Sequence, residues 1–272
     1  MSGKPAAIPC FQVNAFAGNP FGGNPAAVCP LDDWLAADLM QQIAHENDLS
    51  ETAFFVPTGE GEYHLRWFTP TVEVEFCGHA TLASGFVVLA ILNPDLEKVK
   101  FKTRVGELGV RRGGGGLMVM NAPSLPGGEI EITPEHLALF DRKPSNLLKS
   151  KENFLFVFEG EEDEVLALKP DFKAMAKFPK FGFIATGEGA STDFFSRYFA
   201  PNHGVPEDPV TGSAHSVLAP YWAERLGKNR LTAKQGSARQ GELAVEMKGE
   251  RVDIAGQCFL VKDGAFYLSG TS

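Results

Sequence analysis

Tyr63, Leu65 and Trp67 alternate with polar neighbours, a period of two that predicts a β-strand with one buried face. Just upstream, Phe54-Phe55-Val56 runs into Pro57-Thr58-Gly59-Glu60-Gly61. A Gly-rich centre between two β-rich runs is turn chemistry, so the stretch predicts a hairpin. The pattern then changes. From Ala80 to Leu92 apolar residues are too dense for a helix with a solvent face, and Asn93-Pro94 closes the run, which predicts a helix buried on most sides. Ala214 to Leu226 reads the same way, with Pro220 expected to kink it. Two other segments carry the helical period with a polar face. One has Leu35, Leu39, Met40 and Ile43 after the cap candidates Asp32 and Asp33, the other Phe172, Met175 and Ala176 after Pro170-Asp171. Ala265-Phe266-Tyr267-Leu268 reads as a last strand whose partner the sequence does not identify.

These elements occur twice in the same order. Thr58-Gly59-Glu60-Gly61 precedes Arg66-Trp67-Phe68-Thr69-Pro70, and Gly78-His79-Ala80 then opens an apolar segment. In the second half Thr186-Gly187-Glu188-Gly189 precedes Arg197-Tyr198-Phe199-Ala200-Pro201, and Gly212-Ser213-Ala214 opens another. Three matched landmarks in one order point to a duplicated unit. Each unit is α+β, strands around a central helix, giving two pseudo-symmetric domains. The join falls near Arg111 to Gly128, where glycines and prolines interrupt regular structure. The first half is then residues 1–118, with or without the C-terminal strand 259–272, and the second 119–258. Gly113 to Gly116 could be a phosphate loop, but no Gly-Lys-Ser/Thr follows, so a hairpin turn is the better reading.

Composition narrows the function classes. With 25 Lys plus Arg against 34 Asp plus Glu, the formal charge is −9 and no basic run exceeds two residues, which argues against a nucleic-acid surface. The cysteines at 10, 29, 77 and 258 form no CxxC pair, so neither a zinc module nor a dense disulfide framework is indicated. The N-terminus lacks an apolar signal core, and the longest apolar run, Phe86 to Leu92, is far short of the roughly 20 residues of a membrane span. A cytoplasmic protein without membrane or nucleic-acid partners is expected.

Chemistry concentrates at the two helix-opening loops. A Gly at a helix start leaves backbone N–H groups free at the positive end of the dipole, a place for a carboxylate. Related by a pseudo-twofold axis, Gly78-His79 and Gly212-Ser213 would face each other across the interdomain cleft. Beside the first stand Cys77 and His79, and beside the second Glu207, Asp208, Ser213 and His215. For each residue a bland reading stands next to the functional one: plain helix caps for the loops, a small buried apolar side chain for Cys77, a turn before Pro209 for Asp208. Glu51, in Ser50-Glu51-Thr52, is by the same logic an exposed loop carboxylate or a base. Other catalytic classes lack their signatures. There is no Gly-x-Ser-x-Gly elbow and no GxGxxG between strand and helix, and after His45-Glu46 the second zinc histidine is replaced by Leu49. No metal site is expected.

The motifs Gly23-Asn24-Pro25-Ala26-Ala27-Val28, Ser50-Glu51-Thr52-Ala53-Phe54, Phe76-Cys77-Gly78-His79-Ala80-Thr81 and Glu207-Asp208-Pro209-Val210-Thr211-Gly212-Ser213-Ala214 together resemble the PhzF-like family of phenazine-biosynthesis isomerases, nearly end to end. The resemblance implies a diaminopimelate-epimerase-like fold, two barrel-like sheets each around a central helix, a homodimer, and catalysis without a cofactor. It implies that Glu51 is the catalytic carboxylate, moving a proton between carbons of a small carboxylic acid substrate (a double-bond shift). His79, Asp208 and Ser213 would bind substrate and handle protons, with Gly78, Gly212 and Cys77 at the binding loops. Relatives with this fold include epimerases and racemases that use a thiol on each face; here Cys77 precedes the first Gly but Thr211 the second, which favours one base over two. An epimerase or racemase using Cys77, and a non-catalytic ligand-binding or interaction module, are the alternatives. A net charge of −9 does not oppose a small carboxylate, because the field of two helix starts is local and charges beyond a Debye length of about 8 Å are screened.

Overall fold

The computed structural model describes residues 6–236 and 238–268. The first half runs β1 (Ala6–Ala15), β2 (Asn24–Pro30), α1 (Ala37–Asn47), β3 (Glu51–Gly59), β4 (Glu62–Phe68), β5 (Glu73–Val74), α2 (Gly78–Phe86) with a π-helical extension Val87–Leu92, β6 (Lys98–Thr103), β7 (Gly106–Arg112) and β8 (Met118–Pro123). The second runs β9 (Gly128–Glu129), α3 (Pro134–Leu137), β10 (Asn146–Ser150), β11 (Asn153–Val157), α4 (Glu162–Leu166), α5 (Phe172–Met175), β12 (Gly182–Glu188), β13 (Phe194–Ala200) and β14 (Val205–Asp208). A 3₁₀ turn Gly212–Ala214 then feeds α6 (His215–Leu226), followed by β15 (Arg230–Gly236), β16 (Gln240–Lys248), β17 (Arg251–Gly256) and β18 (Cys258–Leu268).

Strand pairing repeats between the halves. Along β1-β2-β3-β4-β6-β7-β8 the pairs are antiparallel, parallel, antiparallel, parallel, antiparallel, antiparallel. Along β10-β11-β12-β13-β15-β16-β17 the same six orientations recur in the same order. The fold is α+β, two similar units of the diaminopimelate-epimerase type. The units are stitched by β8–β17, antiparallel from Met118↔Gly256 to Pro123↔Arg251. β18 crosses back to pair antiparallel with β1, from Ala6↔Leu268 to Ala15↔Cys258.

Each sheet wraps a helix on its concave side and carries short helices outside. In the first half Ala53, Phe55, Leu65 and Trp67 face inward around Ala80, Leu82, Val87 and Val88. The alternate residues Phe54, Val56 and Phe68 face outward under Met40 and Ile43 of α1. In the second half Leu155, Val157 and Ile184 point inward toward Val217, Leu218 and Trp222 of α6, while Phe154, Phe156, Phe183 and Phe199 form the outer layer beneath α3–α5. Strands buried on both faces explain the 22 phenylalanines. Inside the first helix the polar Thr81 and Ser84 satisfy themselves by donating to the Cys77 and Ala80 carbonyls at 2.5 and 2.7 Å.

Several local expectations are corrected. The first amphipathic helix begins at Ala37 with Ala36 as N-cap and no side-chain cap, so Asp32, Asp33 and Leu35 precede it. The second is a single turn, Phe172–Met175, capped by Asp171, which accepts from the Lys173 and Ala174 N–H groups. In the second hairpin Thr186-Gly187-Glu188 lies in β12 rather than in the turn, because the longer connection moves the reversal to residues 189–193. The buried helix of the first half widens after Phe86, with the Asn93 N–H reaching the Val88 carbonyl at 2.7 Å. α6 continues through Pro220. The Ser216 carbonyl, which Pro220 cannot serve, accepts instead from the Leu125 N–H at 2.8 Å. Gly114–Gly116 turns β7 into β8, the hairpin turn expected. Among the described residues no helix is long and apolar enough to cross a membrane.

Candidate active site

The two helix starts meet. A Cβ on Gly78 would lie 3.1 Å from both the Gly212 Cα and the Ser213 N, and one on Gly212 3.4 Å from the Gly78 Cα. A side chain at Gly78 would make the facing backbone give by a few tenths of an ångström, so glycine suits this close approach. Neither start has a side-chain cap, at Cys77 or at Thr211, so the first-turn N–H groups, which have no acceptor within their own helix, are left for another partner. Beside them opens a cleft of about 550 Å³ lined by Glu51, Cys77 and His79 from the first half and by Asp208, Thr211 and Ser213 from the second.

Glu51 is the first residue of β3, paired parallel with Ala26. Asp48 takes a left-handed conformation to end α1, and Asn47 Nδ2 donates to Thr52 Oγ1 at 3.0 Å; together they turn the chain so that the carboxylate is drawn in, 15% exposed. The exposed-loop reading is thereby overturned. Glu51 Oε2 lies 3.1 Å from His79 Nε2. The contact is close enough for an ion pair, but its angle misses hydrogen-bond geometry, and neither atom has a hydrogen-bond partner among the described residues.

On the other edge of the ring, His79 Nδ1 faces Asn24 Nδ2 at 3.0 Å and Cys77 Sγ at 3.5 Å. Burial opposes a cation at His79, but the neighbouring Cys77 and Glu51 outweigh it and hold the imidazole well above its usual range. Burial, reinforced by the Glu51 charge, pushes the Cys77 thiol up to about 11. Cys77 is therefore a protonated thiol. Asp208 is raised to about 6, first by burial and then by the Glu51 charge, against the lowering influence of His79 and of hydrogen bonds from Thr211 and Asn24. Thr211 Oγ1 donates to Asp208 Oδ2, and Gln235 secures Thr211 by accepting from its N–H and donating to its Oγ1, each at 3.0 Å.

Glu51, Cys77 and His79 present ligand atoms within 4.8 Å of one another, the one such group among the described residues. Yet Cys77 meets Nδ1 and Glu51 meets Nε2, opposite edges of one ring. That arrangement suits proton relay better than a shared cation.

The structure brings together Glu51, Cys77, Gly78, His79, Asp208, Gly212 and Ser213. Two neighbours are diverted. Glu207 receives a bidentate pair from Arg197 at 2.8 and 2.9 Å. His215 is fully buried with Nδ1 on the Thr211 carbonyl at 3.0 Å, and burial lowers it to about 4. Asn24 and Gln235 had no assigned role. Asn24 lies in the motif Gly23 to Val28, whereas nothing local marks Gln235.

A profile of the family described as "phenazine biosynthesis-like protein" matches residues 13–264. An uncharacterized isomerase of Pseudomonas aeruginosa is 49% identical over 259 residues, covering 95% of this chain and 98% of the relative. A crystal structure of a phenazine biosynthesis protein of the PhzF family from Enterococcus faecalis superposes with a TM-score of 0.91 at 41% identity, covering 97% of this chain and 100% of the other. A hydroxyproline epimerase from Agrobacterium vitis, solved with trans-4-hydroxy-L-proline bound, shares the fold at a TM-score of 0.60 and 11% identity, over 97% and 94% of the two chains.

Proposed function

The chain belongs to the phenazine biosynthesis-like family, and from that membership and the chemistry of the cleft we propose that it is an isomerase that shifts a proton, and with it a double bond, within a small carboxylic acid. Glu51 takes the proton from carbon and returns it to another. The observation that carries this is the Glu51–His79 contact: a buried carboxylate oxygen 3.1 Å from an imidazole nitrogen, both without hydrogen-bond partners, beside two uncapped helix starts. The uncapped N–H groups of Gly212 and Ser213 suit the substrate carboxylate and the negative charge that develops next to it. His79 steadies the Glu51 charge. Asp208, with a pKa near neutrality, supplies an acid on the opposite wall. No step calls for a cofactor, and we read the assembly as the homodimer that the resemblance implies.

A two-thiol epimerase is disfavoured by residue chemistry. The counterpart of Cys77 before the second glycine is Thr211, whose hydroxyl is committed to Asp208, and Cys77 holds its proton to about pH 11. The test is solvent-deuterium incorporation into a panel of unsaturated and hydroxy acids, followed by NMR. Wild type labels at least one acid, and Glu51→Gln loses on the order of 10³-fold in rate with an unchanged circular dichroism spectrum. An active Glu51→Gln protein refutes the assignment of the base. Failure of every acid to exchange favours the binding-module alternative.

A further inference from the structure

Asn24 is fully buried at the boundary between the halves and touches the machinery of both. Its Nδ2 lies 2.8 Å from Asp208 Oδ1, 3.0 Å from the Val210 carbonyl and 3.0 Å from His79 Nδ1. The first two partners are oxygens that can only accept from it, Asp208 as the carboxylate, which identifies the amide nitrogen as the atom pointing at them. The third contact therefore puts a donor against His79 Nδ1 as well, two hydrogens shared among three acceptors. Cys77, a thiol, is the other group facing Nδ1. With donors on that edge, the neutral ring carries its hydrogen on Nε2, the nitrogen turned to Glu51.

The chain builds this placement at some cost. Gly23 is left-handed at φ 67°, and a Cβ there would lie 2.3 Å from the Ala15 carbonyl oxygen, so only glycine fits. Arg239, from the β15–β16 connection of the second half, donates to the Gly23 and Gly22 carbonyls at 2.6 and 2.9 Å. The Gly23 N–H donates in turn to the Gln240 carbonyl at 2.8 Å. Asn24 then enters β2 opposite Ala15. The loop is thus held from the opposite half, and the side chain it delivers reaches back to the Asp208–Val210 segment.

We propose that Asn24 is a positioning residue: it selects the Nε2–H tautomer of His79 and ties that ring to Asp208, so that the acid–base groups of the two halves are set by one amide. The proposal rests on the reading of Glu51, His79 and Asp208 as the acid–base set, but its test does not need turnover. The measurement is long-range ¹H–¹⁵N NMR of histidine-labelled, ligand-free protein, with His79 assigned by a His79→Asn variant. Above the His79 titration midpoint, where the ring is neutral, wild type shows hydrogen on Nε2 and none on Nδ1. In Asn24→Ala the preference for Nε2–H falls by roughly fivefold, the scale of one lost hydrogen bond, and the His79 titration midpoint moves. The groups facing the ring, Glu51, Cys77 and, through Asn24, Asp208, are all retained in that variant. His215, bonded to its own Thr211 carbonyl, does not change and serves as the internal control. Asn24→Leu, which keeps the size but removes the donor, shifts the tautomer as Asn24→Ala does.

A purely architectural Asn24 would lower the melting temperature in both variants and leave the His79 signature untouched, which would overturn the proposal. So would a wild-type His79 carrying hydrogen on Nδ1 alone, a result that needs no variant to fold. If Glu51→Gln proves active while the tautomer shift is seen, the assignment of the base fails and the positioning role stands.

Discussion

Asp208 has both carboxylate oxygens occupied, Oδ1 by Asn24 and Oδ2 by Thr211, yet its pKa rises to about 6 from an ordinary 3.8, since burial and the Glu51 charge outweigh the two donors. Between about pH 4 and pH 6 the folded protein therefore holds a proton there that the unfolded chain releases. This contribution to stability is complete below about pH 4, declines as pH rises to about 6, and is flat above, an integrated change of about 3 kcal/mol. Asp208→Asn is expected to flatten that slope, so that urea midpoints of variant and wild type converge toward pH 4 and separate in favour of the variant near pH 7; parallel curves would refute the assignment. Cys77→Ala is expected to keep the deuterium-exchange rate within about tenfold of wild type, since a thiol ionising near pH 11 is a poor base at neutral pH. At this scale the sequence exposed the residue types but not their state. Whether Glu51 was a surface carboxylate depended on pairing with Ala26 and on a histidine 28 positions away, neither of which leaves a local signature.

The duplicated hairpins carry matched ion pairs with unequal surroundings. Arg66 makes a bidentate contact with Glu73 at 2.7 and 2.9 Å and lies against Trp34 and Phe68, partly open to solvent. Arg197 does the same with Glu207, is 7% exposed, and also donates to the carbonyls of Val165, Leu166 and Leu168 at the end of α4. Arg197→Ala leaves a partly buried carboxylate and three carbonyls unserved and is expected to cost about 3–5 kcal/mol. Arg66→Ala should cost about 1 kcal/mol, and equal losses in denaturant titrations would disprove the asymmetry. Gly78→Ala drives a methyl against the Gly212 backbone; a loss of about 1–3 kcal/mol and of deuterium exchange together is the expected outcome. Turns and buried helices were legible because glycine, proline and apolar density act locally. The late start of α1 and the π-helical widening at Val87–Leu92 carry no such local mark, and propensity does not encode them.

Across the whole molecule, the two halves are not simply beads joined by a linker. β8 pairs with β17, and β18 returns to β1 and adds Phe266 and Leu268 to the cluster under α1. Removal of residues 258–272 would strip β1 of one neighbour and open a long edge; a fall in melting temperature of at least about 5 °C is expected, and an unchanged value would show that β18 is dispensable.

The sequence by itself determined that there are two related units, that each places a helix behind a glycine loop, and which residue types stand at those loops, because turn chemistry, periodicity and duplication are local or order-based signals. Only the tertiary structure decided that Gly78 touches Gly212, that Glu207 belongs to Arg197 while Asp208 faces the cleft, and that Asn24 joins His79 to a residue 184 positions away. Those choices depend on which backbones can approach and which buried donors find acceptors, and both are settled only when the sheets close around their helices.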